Sequence, residues 1–595
     1  MLGSACAWRD SIILSVNHIP TPNLDAFAEA ISSLTSGTRV PIKYFSIDKI
    51  HKEKIMIMNV TCQWHPFRMA TRDPNTGLWS YKDLNKPLTS EIFESNTVKY
   101  PNLGANLTPA NLLWPSFVSV DFYVPYLVDG MVNTQHYGPG YIIDKKHGLV
   151  LCDRDTVPIS AGDVYLTFAQ SLVITAKIVF LHPVYNFTVL QYNPELLGET
   201  DVEELKFSPE YYNGTKKLIQ GDEAILVGVG SDHNPFVRRT LVSSRGMLST
   251  NESSPPRWRV SNVEGIKLDD QPSCQGGVIS DENGLVKSFW VNVSNSDSKG
   301  NNTSFMAGLD VSIIRPVVEG LKHGHKLELR SLDAEFWTIK PAAARSLGMS
   351  GERLKQMSDR CVDNYSKFYY VLGLMNRQSH ASKLLNVGDV VLEVNGNLVT
   401  DITDLAVFYN LPHVDLTILR EQEEIHLRVP TSELPTFETT RIISWAGAIV
   451  QQPYRAVQEQ LQELPSMVYV TCTLFGSPAN SYGLKPGVWI TELEGERIKT
   501  LDDLTAFIKN INAKMRQKSH TSTTNAGGDV NPPEQSSLES SDSGEYVRMT
   551  VVNKLGVSKV LSLKLDEHYW PSMQILNVDS QWKVDFDVFN DNCTS

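Results

Sequence analysis

Residues 271–290 read QPSCQGGVISDENGLVKSFW, a cluster of small residues followed by two apolar runs with a polar turn between them. The two adjacent glycines lack a Cβ and let the backbone turn tightly in front of the first apolar run. Short apolar runs separated by Asp, Glu, Asn and Gly are typical of strands joined by turns. The stretch therefore indicates β-structure, and its small-residue cluster is where an exposed nucleophile would be sought, at Ser273, Cys274 or Gln275.

The same texture extends over residues 100–325. The apolar runs of this region are short, rich in β-branched residues and separated by Gly, Pro or Asp, which is the pattern of an all-β barrel or sandwich. The clearest runs are SFVSVDFYV (116–124), YIID (141–144), HGLVLCD (147–153), KIVFLHP (177–183), FTVLQY (187–192) and AILVGVG (224–230).

Four segments of this region occur in an informative order: GPGYIID (138–144), GLVLCDRDTV (148–157), HPVYNFTVL (182–190) and SCQGGVI (273–279). In order and spacing they resemble the trypsin-like serine proteases of the HtrA type. In those proteases a first strand is followed by the general-base histidine, the orienting aspartate and a GNSGGP turn that holds the serine. The resemblance implies a trypsin-like double β-barrel.

The chemistry of that family does not carry over onto this chain. The positions of the histidine, aspartate and serine fall on Asp155, Asn186 and Gln275. An aspartate of ordinary pKa is too acidic to take a proton from a nucleophile and return it to a leaving amine. Without an imidazole, Asn186 has nothing to orient, so we expect the triad to be degenerate.

A shift of the alignment by one or two residues places Cys274 or Ser273 at the nucleophile position. A thiolate is a competent nucleophile, but it would still need a base. His147 precedes the strand that should deliver the base, and His182 lies in the loop before Asn186. We therefore interpret Cys274 as a small buried residue.

Three stretches outside residues 100–325 share one sequence pattern. They are 13–31 (ILSVNHIPTPNLDAFAEAI), 391–409 (VLEVNGNLVTDITDLAVFY) and 490–508 (ITELEGERIKTLDDLTAFI). Each begins with a short alternating strand, turns at Asn-His, Asn-Gly or Glu-Gly, and continues into a second strand. Each then places Asn, Asp or Thr before a run with helical apolar spacing. The recurrence predicts three copies of one module.

Two copies carry an upstream extension, at 384–396 and 477–495, which resembles PDZ domains of the protease-associated type. Such domains bind extended peptides by adding a strand to a sheet edge, and a backbone loop captures the C-terminal carboxylate. In the last copy the candidate loop consists of Trp445, Ala446, Gly447, Ala448 and Ile449. Ile449 would begin the edge strand, opposite a helix over 453–461; an ordinary buried strand is the alternative.

Composition limits the remaining functions. The net charge of −13 argues against nucleic acid as the main partner. Seven scattered cysteines without a CxxC pair indicate reduced thiols, and single histidines suggest neither a metal site nor an organic cofactor. No apolar run approaches the roughly 20 residues of a membrane span, and the N-terminus does not resemble a secretory signal. An intracellular location, nuclear or cytoplasmic, is expected.

Taken together, the chain resembles the C-terminal half of the double-length HtrA/Deg proteases, which include fungal nuclear pro-apoptotic enzymes. In that family an active protease domain precedes the first PDZ unit, and a second protease-like domain is degenerate. The segments that carry the resemblance are GTRVPIKYFSI (37–47), WHPFRMATRDPNTGLWSY (64–81) and the runs over 114–144, 148–168 and 179–194.

The resulting fold prediction is mainly β and multidomain, a degenerate double barrel flanked by α+β PDZ domains. The expected domains are an N-terminally truncated PDZ unit at 1–85, the barrels at 100–325, and PDZ units at 330–435 and 440–575, with a disordered insert at about 514–545. The late start of the first copy leads us to expect that the chain is a fragment or the product of an aberrant gene model.

Two functions remain open. The first is an inactive peptide-binding and interaction module that captures protein C-termini or extended segments and forms homo-oligomers. The second is a serine endopeptidase that acts with a partner or through a site not recognised in the sequence.

Overall fold

The computed structural model describes residues 10–35, 37–60, 64, 68–74, 79–84, 97–104, 107–296, 302–325, 327–360, 367–376, 379–461, 463–524, 545–567, 569–585 and 587–589. The N-terminal part of the chain forms a four-stranded sheet of order β2-β1-β3-β4, one helix and a separate hairpin, β5–β6. The helix begins after Asn23, whose side chain accepts a hydrogen bond from the Ala26 N–H at 2.9 Å. The bounds are β1 (Ser11–Val16), β2 (Ile19–Pro20), α1 (Leu24–Ser32), β3 (Arg39–Ser46), β4 (Glu53–Asn59), β5 (Arg68–Arg72) and β6 (Trp79–Asp83).

The first barrel is closed and has six strands in the order β10-β11-β12-β9-β8-β7. Its strands alternate buried and half-buried residues, as in β7, because every second side chain points into the barrel. The elements are α2 (Thr108–Leu113), β7 (Phe117–Tyr123), β8 (Gln135–Asp144), β9 (Leu149–Cys152), β10 (Asp163–Phe168), β11 (Leu172–Leu181) and β12 (Thr188–Tyr192).

The second barrel is also closed, in the order β13-β14-β15-β18-β17-β16. The tight turn quoted at the outset opens β16, and the following apolar run forms β17. The elements are α3 (Pro209–Tyr212), β13 (Glu223–Val229), β14 (Pro235–Leu248), β15 (Val263–Leu268), β16 (Gly276–Ser280), β17 (Val286–Ser296), β18 (Asn302–Asp310) and α4 (Arg315–His323).

After the barrels the chain forms a sheet of order β20-β21-β22-β25-β26, with β23 paired to β22, and a small sheet of order β24-β19-β27. The elements are β19 (Leu329–Ser331), β20 (Ala334–Ile339), α5 (Pro341–Ser346), α6 (Gly351–Ser358), β21 (Phe368–Leu374), β22 (Val390–Val394), β23 (Asn397–Leu398), α7 (Thr403–Ala406), β24 (Phe408–Tyr409), β25 (His413–Arg420), β26 (Glu423–Pro430) and β27 (Ser432–Leu434).

The last part of the chain is one sheet of order β34-β33-β31-β30-β29-β28-β35-β36, with β32 paired to β31. The elements are β28 (Arg441–Trp445), β29 (Ala448–Gln451), α8 (Arg455–Gln458), β30 (Tyr469–Thr473), α9 (Pro478–Ser481), β31 (Val488–Leu493), β32 (Glu496–Arg497), α10 (Leu501–Thr524), β33 (Tyr546–Asn553), β34 (Ser558–Lys564), β35 (Met573–Val578) and β36 (Gln581–Asp585).

The expected disordered insert is only partly testable. Helix α10 continues to Thr524, so residues 514–524 are helical and the prediction of disorder is wrong for them. Ile508, Ile511 and Met515 continue the apolar face of this helix onto the core of the last sheet, which explains why helical structure persists past residue 514. The remainder of the insert, 525–544, lies outside the described residues.

All three stretches with the shared pattern contain a strand, a tight turn, a second short strand and a helix. The turns are Asn17-His18, Asn395-Gly396 and Glu494-Gly495, and each of these six residues has a positive φ between 47° and 82°. Two successive positive φ angles define the turn that matches the twist of antiparallel strands. The residue types at these positions therefore indicated the two-residue turns correctly from the sequence.

Candidate functional site

The carboxylate of Asp155, at the general-base position, is hydrogen-bonded to a residue of the second barrel. Asp155 lies in the loop after β9, and its two oxygens accept hydrogen bonds from the N–H and the hydroxyl of Ser294 in β17. Burial, and then the nearby charge of Asp153, raise the pKa of Asp155 to about 7. This pKa lies above that of an ordinary aspartate, and both carboxylate oxygens already have hydrogen-bond partners in β17.

The Asn186 side chain forms hydrogen bonds with the backbone of both barrels. Its side-chain oxygen accepts a hydrogen bond from the Arg154 N–H at 2.8 Å, and its amide nitrogen donates to the Asn292 carbonyl at 2.7 Å. Asp153 adds a parallel link, because its carboxylate accepts from the Asn292 N–H at 3.1 Å. The buried amide therefore satisfies backbone groups on both sides of the barrel interface.

The backbone at Gln275 takes part in the second barrel. The Gln275 N–H donates to the Val229 carbonyl at 2.9 Å, at the end of the ladder in which Gly276 pairs with Val229. An oxyanion hole needs backbone N–H groups directed at the developing negative charge. The Gln275 N–H instead forms a hydrogen bond with a neighbouring strand of the barrel.

Cys274 is not an activated thiol. Burial raises the pKa of Cys274 to about 11. Because the thiolate is the nucleophilic form, a cysteine with so high a pKa is almost entirely unreactive at neutral pH. In the described part of the chain, no histidine forms a hydrogen bond with Cys274 or with its exposed neighbour Ser273.

Neither histidine considered in the sequence reaches this region as a base. Buried His182 accepts hydrogen bonds at Nδ1 from the N–H groups of Val184 and Tyr185, at 3.1 and 2.8 Å. Burial and the nearby charge of Arg154 hold the pKa of His182 well below its usual range, so its ring is neutral. His147 lies 2.8 Å from the Asp144 carboxylate and is largely exposed.

A third histidine, His136 in β8, was missed in the sequence. Its ring hydrogen-bonds with the backbone of Asn133 and Asp155, and burial lowers its pKa. It lies outside the segment in which the family places its histidine, so motif order gave no signal for it.

The space beside Asp155 is filled by other parts of the chain. Trp258 donates from Nε1 to the Pro183 carbonyl at 2.9 Å, and the Arg154 guanidinium lies over its ring, 4.4 Å from the ring centroid. Tyr454, which immediately precedes α8, donates its hydroxyl to the Pro256 carbonyl. The cavity left between these groups and Ser294 measures about 40 Å³. That volume is enough for a few water molecules.

The predicted peptide loop forms a tight, buried turn. Ala446 and Gly447 have φ angles of 50° and 76° and join β28 directly to β29. Ile449 pairs with Ser444 on one side and with Cys472 on the other. The expectation that Ile449 begins an edge strand is therefore wrong, because β28 folds back and covers that edge.

The expected facing helix is also different. The segment over 453–461 contains only the four-residue α8. The helix that contacts this region is α10: Arg441 hydrogen-bonds with Asp502 and Thr505, and the ring of Trp445 packs edge-on against Phe507. The predicted pairing missed this helix because α10 begins about 50 residues after the turn.

A larger cavity lies elsewhere, between the second barrel and the sheet that follows it. It measures about 330 Å³ and is lined by Tyr185, Tyr369, Tyr409, Lys217 and Asp401, among others. The charged groups around it already neutralise one another: Lys217 pairs with Asp401, and buried Arg245 pairs with Glu264 and Asp310. The cavity thus belongs to an ion-pair network that joins the two domains.

Comparison with known proteins agrees with this architecture. Residues 436–514 match the family described as the PDZ-like domain. The pro-apoptotic serine protease NMA111 of Meyerozyma guilliermondii is 30% identical over 581 residues, which are 96% of this chain and 55% of that protein. The PDZ domain-containing protein C23G3.12c of Schizosaccharomyces pombe is 30% identical over 581 residues, 96% of this chain and 54% of that protein.

The relatives of this chain include several fungal proteins named pro-apoptotic serine protease NMA111. The chain spans about half the length of the curated relatives it matches. Among solved structures, the HtrA-type protease AlgW with a tripeptide aligns at 15% identity and a TM-score of 0.38, covering 56% of this chain and 98% of that one. The predicted fold class, mainly β with a double barrel and a PDZ domain, is confirmed.

Two observations concern sites of other kinds, and both are limited to the described ranges. No helix there is long and apolar enough to cross a membrane. No group of three or more His, Cys, Asp or Glu residues there is arranged to hold a metal ion.

Proposed function

We propose that this chain is a catalytically inactive interaction module of HtrA type. In this proposal the double barrel at 100–325 serves as an assembly surface, and PDZ units at 1–85, 330–435 and 440–575 capture protein C-termini or extended segments. The relationship to the C-terminal half of the double-length proteases, a nuclear location and homo-oligomerisation belong to the same proposal.

The observation that carries the proposal is the hydrogen bond from the Gln275 N–H to the Val229 carbonyl. A serine protease needs that amide to stabilise the negative oxygen of its tetrahedral intermediate, and loss of one such donor alone costs about 10²–10³ in rate. The groups at the other two triad positions, Asp155 and Asn186, are also bound to structural partners. Restoring the triad side chains would therefore leave the oxyanion site incomplete.

The peptide-binding part rests on the PDZ-like match over 436–514 and on the turn at residues 445–449. In this proposal β29 is the strand to which a peptide adds once β28 has left its edge, with the turn at the beginning of β29. No role in binding nucleic acid or membranes is proposed, since the chain carries a net charge of −13.

A second candidate function is a serine endopeptidase that acts with a partner or through another nucleophile. It is favoured by the names of the relatives, and by two features near the barrel interface. The pKa of Asp155, raised to about 7 by burial and by Asp153, lies in the range of a general base. The imidazole of His136 contacts the backbone of that same residue.

Active-site labelling separates the two functions. The purified chain is incubated with a fluorophosphonate probe and, separately, with a thiol-reactive probe at pH 7.5, beside its Ser273→Ala and Cys274→Ala variants. The inactive module predicts no fluorophosphonate labelling and no rapid labelling of Cys274. Stoichiometric labelling that disappears in one of the two variants would establish a competent nucleophile and overturn the proposal.

A further inference from the structure

In the last PDZ-like unit, β29 and α10 are the strand and the helix between which the proposed peptide would bind. A peptide bound by a PDZ domain adds as a strand to an exposed sheet edge. One edge of β29 pairs with β30, through Ile449 with Cys472 and Gln451 with Tyr469. The opposite edge, which an incoming peptide would use, is paired with β28.

The tight turn explains why β28 takes that place. Ala446 and Gly447 both have positive φ angles, so the chain reverses within two residues and forms an antiparallel hairpin. Trp445 pairs with Ala448 and Ile443 with Val450. The strand before the turn is therefore held in the register and direction of an added strand.

Alternate side chains of β28 contact opposite partners, as the period of two in a strand requires. Ile443 and Trp445 are fully buried in the core that contains α10, and the Trp445 ring packs edge-on against Phe507 with centroids 6.3 Å apart. At the other end of this face, Arg441 pairs with Asp502 and donates to the Thr505 hydroxyl at 2.7 Å. Ile442, on the opposite face, packs in the core of the first barrel.

A second hairpin holds β28 from its free side. Strand β35 pairs with β28, through Leu576 with Arg441 and Met573 with Ser444, and β36 pairs with β35. This hairpin is fastened to the first barrel by Trp582, which donates from Nε1 to the Ser160 carbonyl at 2.7 Å and packs against Trp64. The contact of Trp582 with the barrel thus helps to hold β35 against β28.

We infer that residues 441–445, Arg-Ile-Ile-Ser-Trp, are an internal ligand of this groove, and that the groove accepts the same class of peptide once β28 is displaced. The external ligand is an extended segment that ends in a large aromatic residue and carries a basic residue four positions earlier. The aromatic ring fills the space beside Phe507, and the basic side chain pairs with Asp502. This inference rests on the proposed interaction function.

The test uses a fluorescent peptide of residues 437–445, FETTRIISW, with a free C-terminal carboxylate. Its binding is measured by anisotropy with the full chain, the Trp582→Ala variant, and Lys583→Ala, a neighbouring exposed position on the same strand, as the matched control. Ile443→Asp, which places a charge in the buried face of β28, is a second opening variant. Hydrogen exchange of β28 and β29 reports whether the strand has left.

We expect the opened variants to bind the probe at least tenfold more tightly than the wild type and Lys583→Ala. We also expect a probe ending in Ala, or carrying Glu in place of Arg441, to lose most of that affinity. Equal binding by wild type and opened variants would overturn the inference while leaving the interaction function intact. No binding to either variant would also overturn it, whereas labelling by a fluorophosphonate would contradict only the proposed inactivity.

Discussion

The partners of a side chain decide what it can do chemically, and Asp155 illustrates this. From its residue type alone, an aspartate was expected to be too acidic for proton transfer at neutral pH. Burial beside Asp153 brings its pKa to about 7, so acidity does not exclude it. Both of its oxygens accept hydrogen bonds from Ser294, which holds them toward β17, and the proposed inactivity draws on these bonds. Such partners lie 139 residues away in the sequence, and motif reading could not supply them.

Gly447 is required by the fold of the turn. Its φ is 76°, and a Cβ added there would lie 2.1 Å from the Cβ of Ser477. We expect Gly447→Ala to lower the free energy of unfolding by about 2 kcal/mol or more, because backbone strain and a steric clash add. Urea denaturation measures the loss.

Gly495→Ala is the matched control for Gly447. Its φ is 82°, but a Cβ there would meet no atom within 4 Å. It should therefore cost only the backbone term, about 1 kcal/mol. If both variants lost the same free energy of unfolding, the contact with Ser477 would make no contribution to the cost of Gly447→Ala.

Asp129 makes stability depend on pH. Its carboxylate accepts hydrogen bonds from Thr439 and Gln451, while burial and then the charge of Glu438 raise its pKa to about 6. Between pH 4 and 6 the folded state keeps a proton that the unfolded state has lost, so stability falls as pH rises through that window.

The decline attributable to Asp129 is at most about 3 kcal/mol between pH 4 and 7.5. We expect Asp129→Asn to remove this part of the decline, since an amide keeps an acceptor oxygen but does not ionise. Urea titrations at pH 4 and 7.5 test the difference between the two proteins. A variant whose stability falls as steeply as that of the wild type would contradict the assigned pKa.

At the scale of elements, local pattern was a good guide to strands. The run predicted at 187–192 is β12 at Thr188–Tyr192, and the run at 224–230 is β13 at Glu223–Val229. The alternation of apolar and polar residues and the positions of turn residues are local properties, so the strands could be predicted from the sequence. The pairing of β28 with β35 joins residues more than 120 positions apart, and no local pattern indicates it. That pairing is what changed the candidate peptide edge.

A side chain protects the outer edge of β20. Within the described residues β20 pairs only with β21, and Asn262 covers the start of its other edge. The Asn262 amide donates to the Ala334 carbonyl and accepts from the Phe336 N–H, both at 2.8 Å. It therefore replaces the peptide group of a neighbouring strand and blunts an edge that could pair with another chain.

Asn262→Ala should leave these two backbone groups without their partner. We expect a loss of stability of about 1–3 kcal/mol, together with faster hydrogen exchange at Phe336. Asn283→Ala, at an exposed turn position, is the control and should change neither quantity. Unchanged exchange at Phe336 in Asn262→Ala would show that the Asn262 side chain does not protect the edge.

At the scale of the molecule, the last sheet closes over the protease-like barrels. Tyr454 donates to Pro256, Gln451 and Thr439 bind Asp129, and Trp582 binds Ser160. Ile442, Ile449 and Ile575 belong to the same hydrophobic core as the first barrel. The space beside Asp155 and the β28–β29 hairpin thus lie near a common interface. The order of family motifs predicted the barrels, but the packing of the last sheet onto them required the structure.

The central claim is that this chain has no proteolytic activity. The most direct test is cleavage of casein by the purified chain 1–595, measured beside its Ser273→Ala and Cys274→Ala variants to identify any contaminating protease. The account predicts no cleavage by the wild type beyond a background shared with both variants. Cleavage by the wild type that one of these substitutions abolishes would contradict the account, and would show that a base reaches that residue despite the bonds that hold Asp155, Asn186 and the Gln275 N–H.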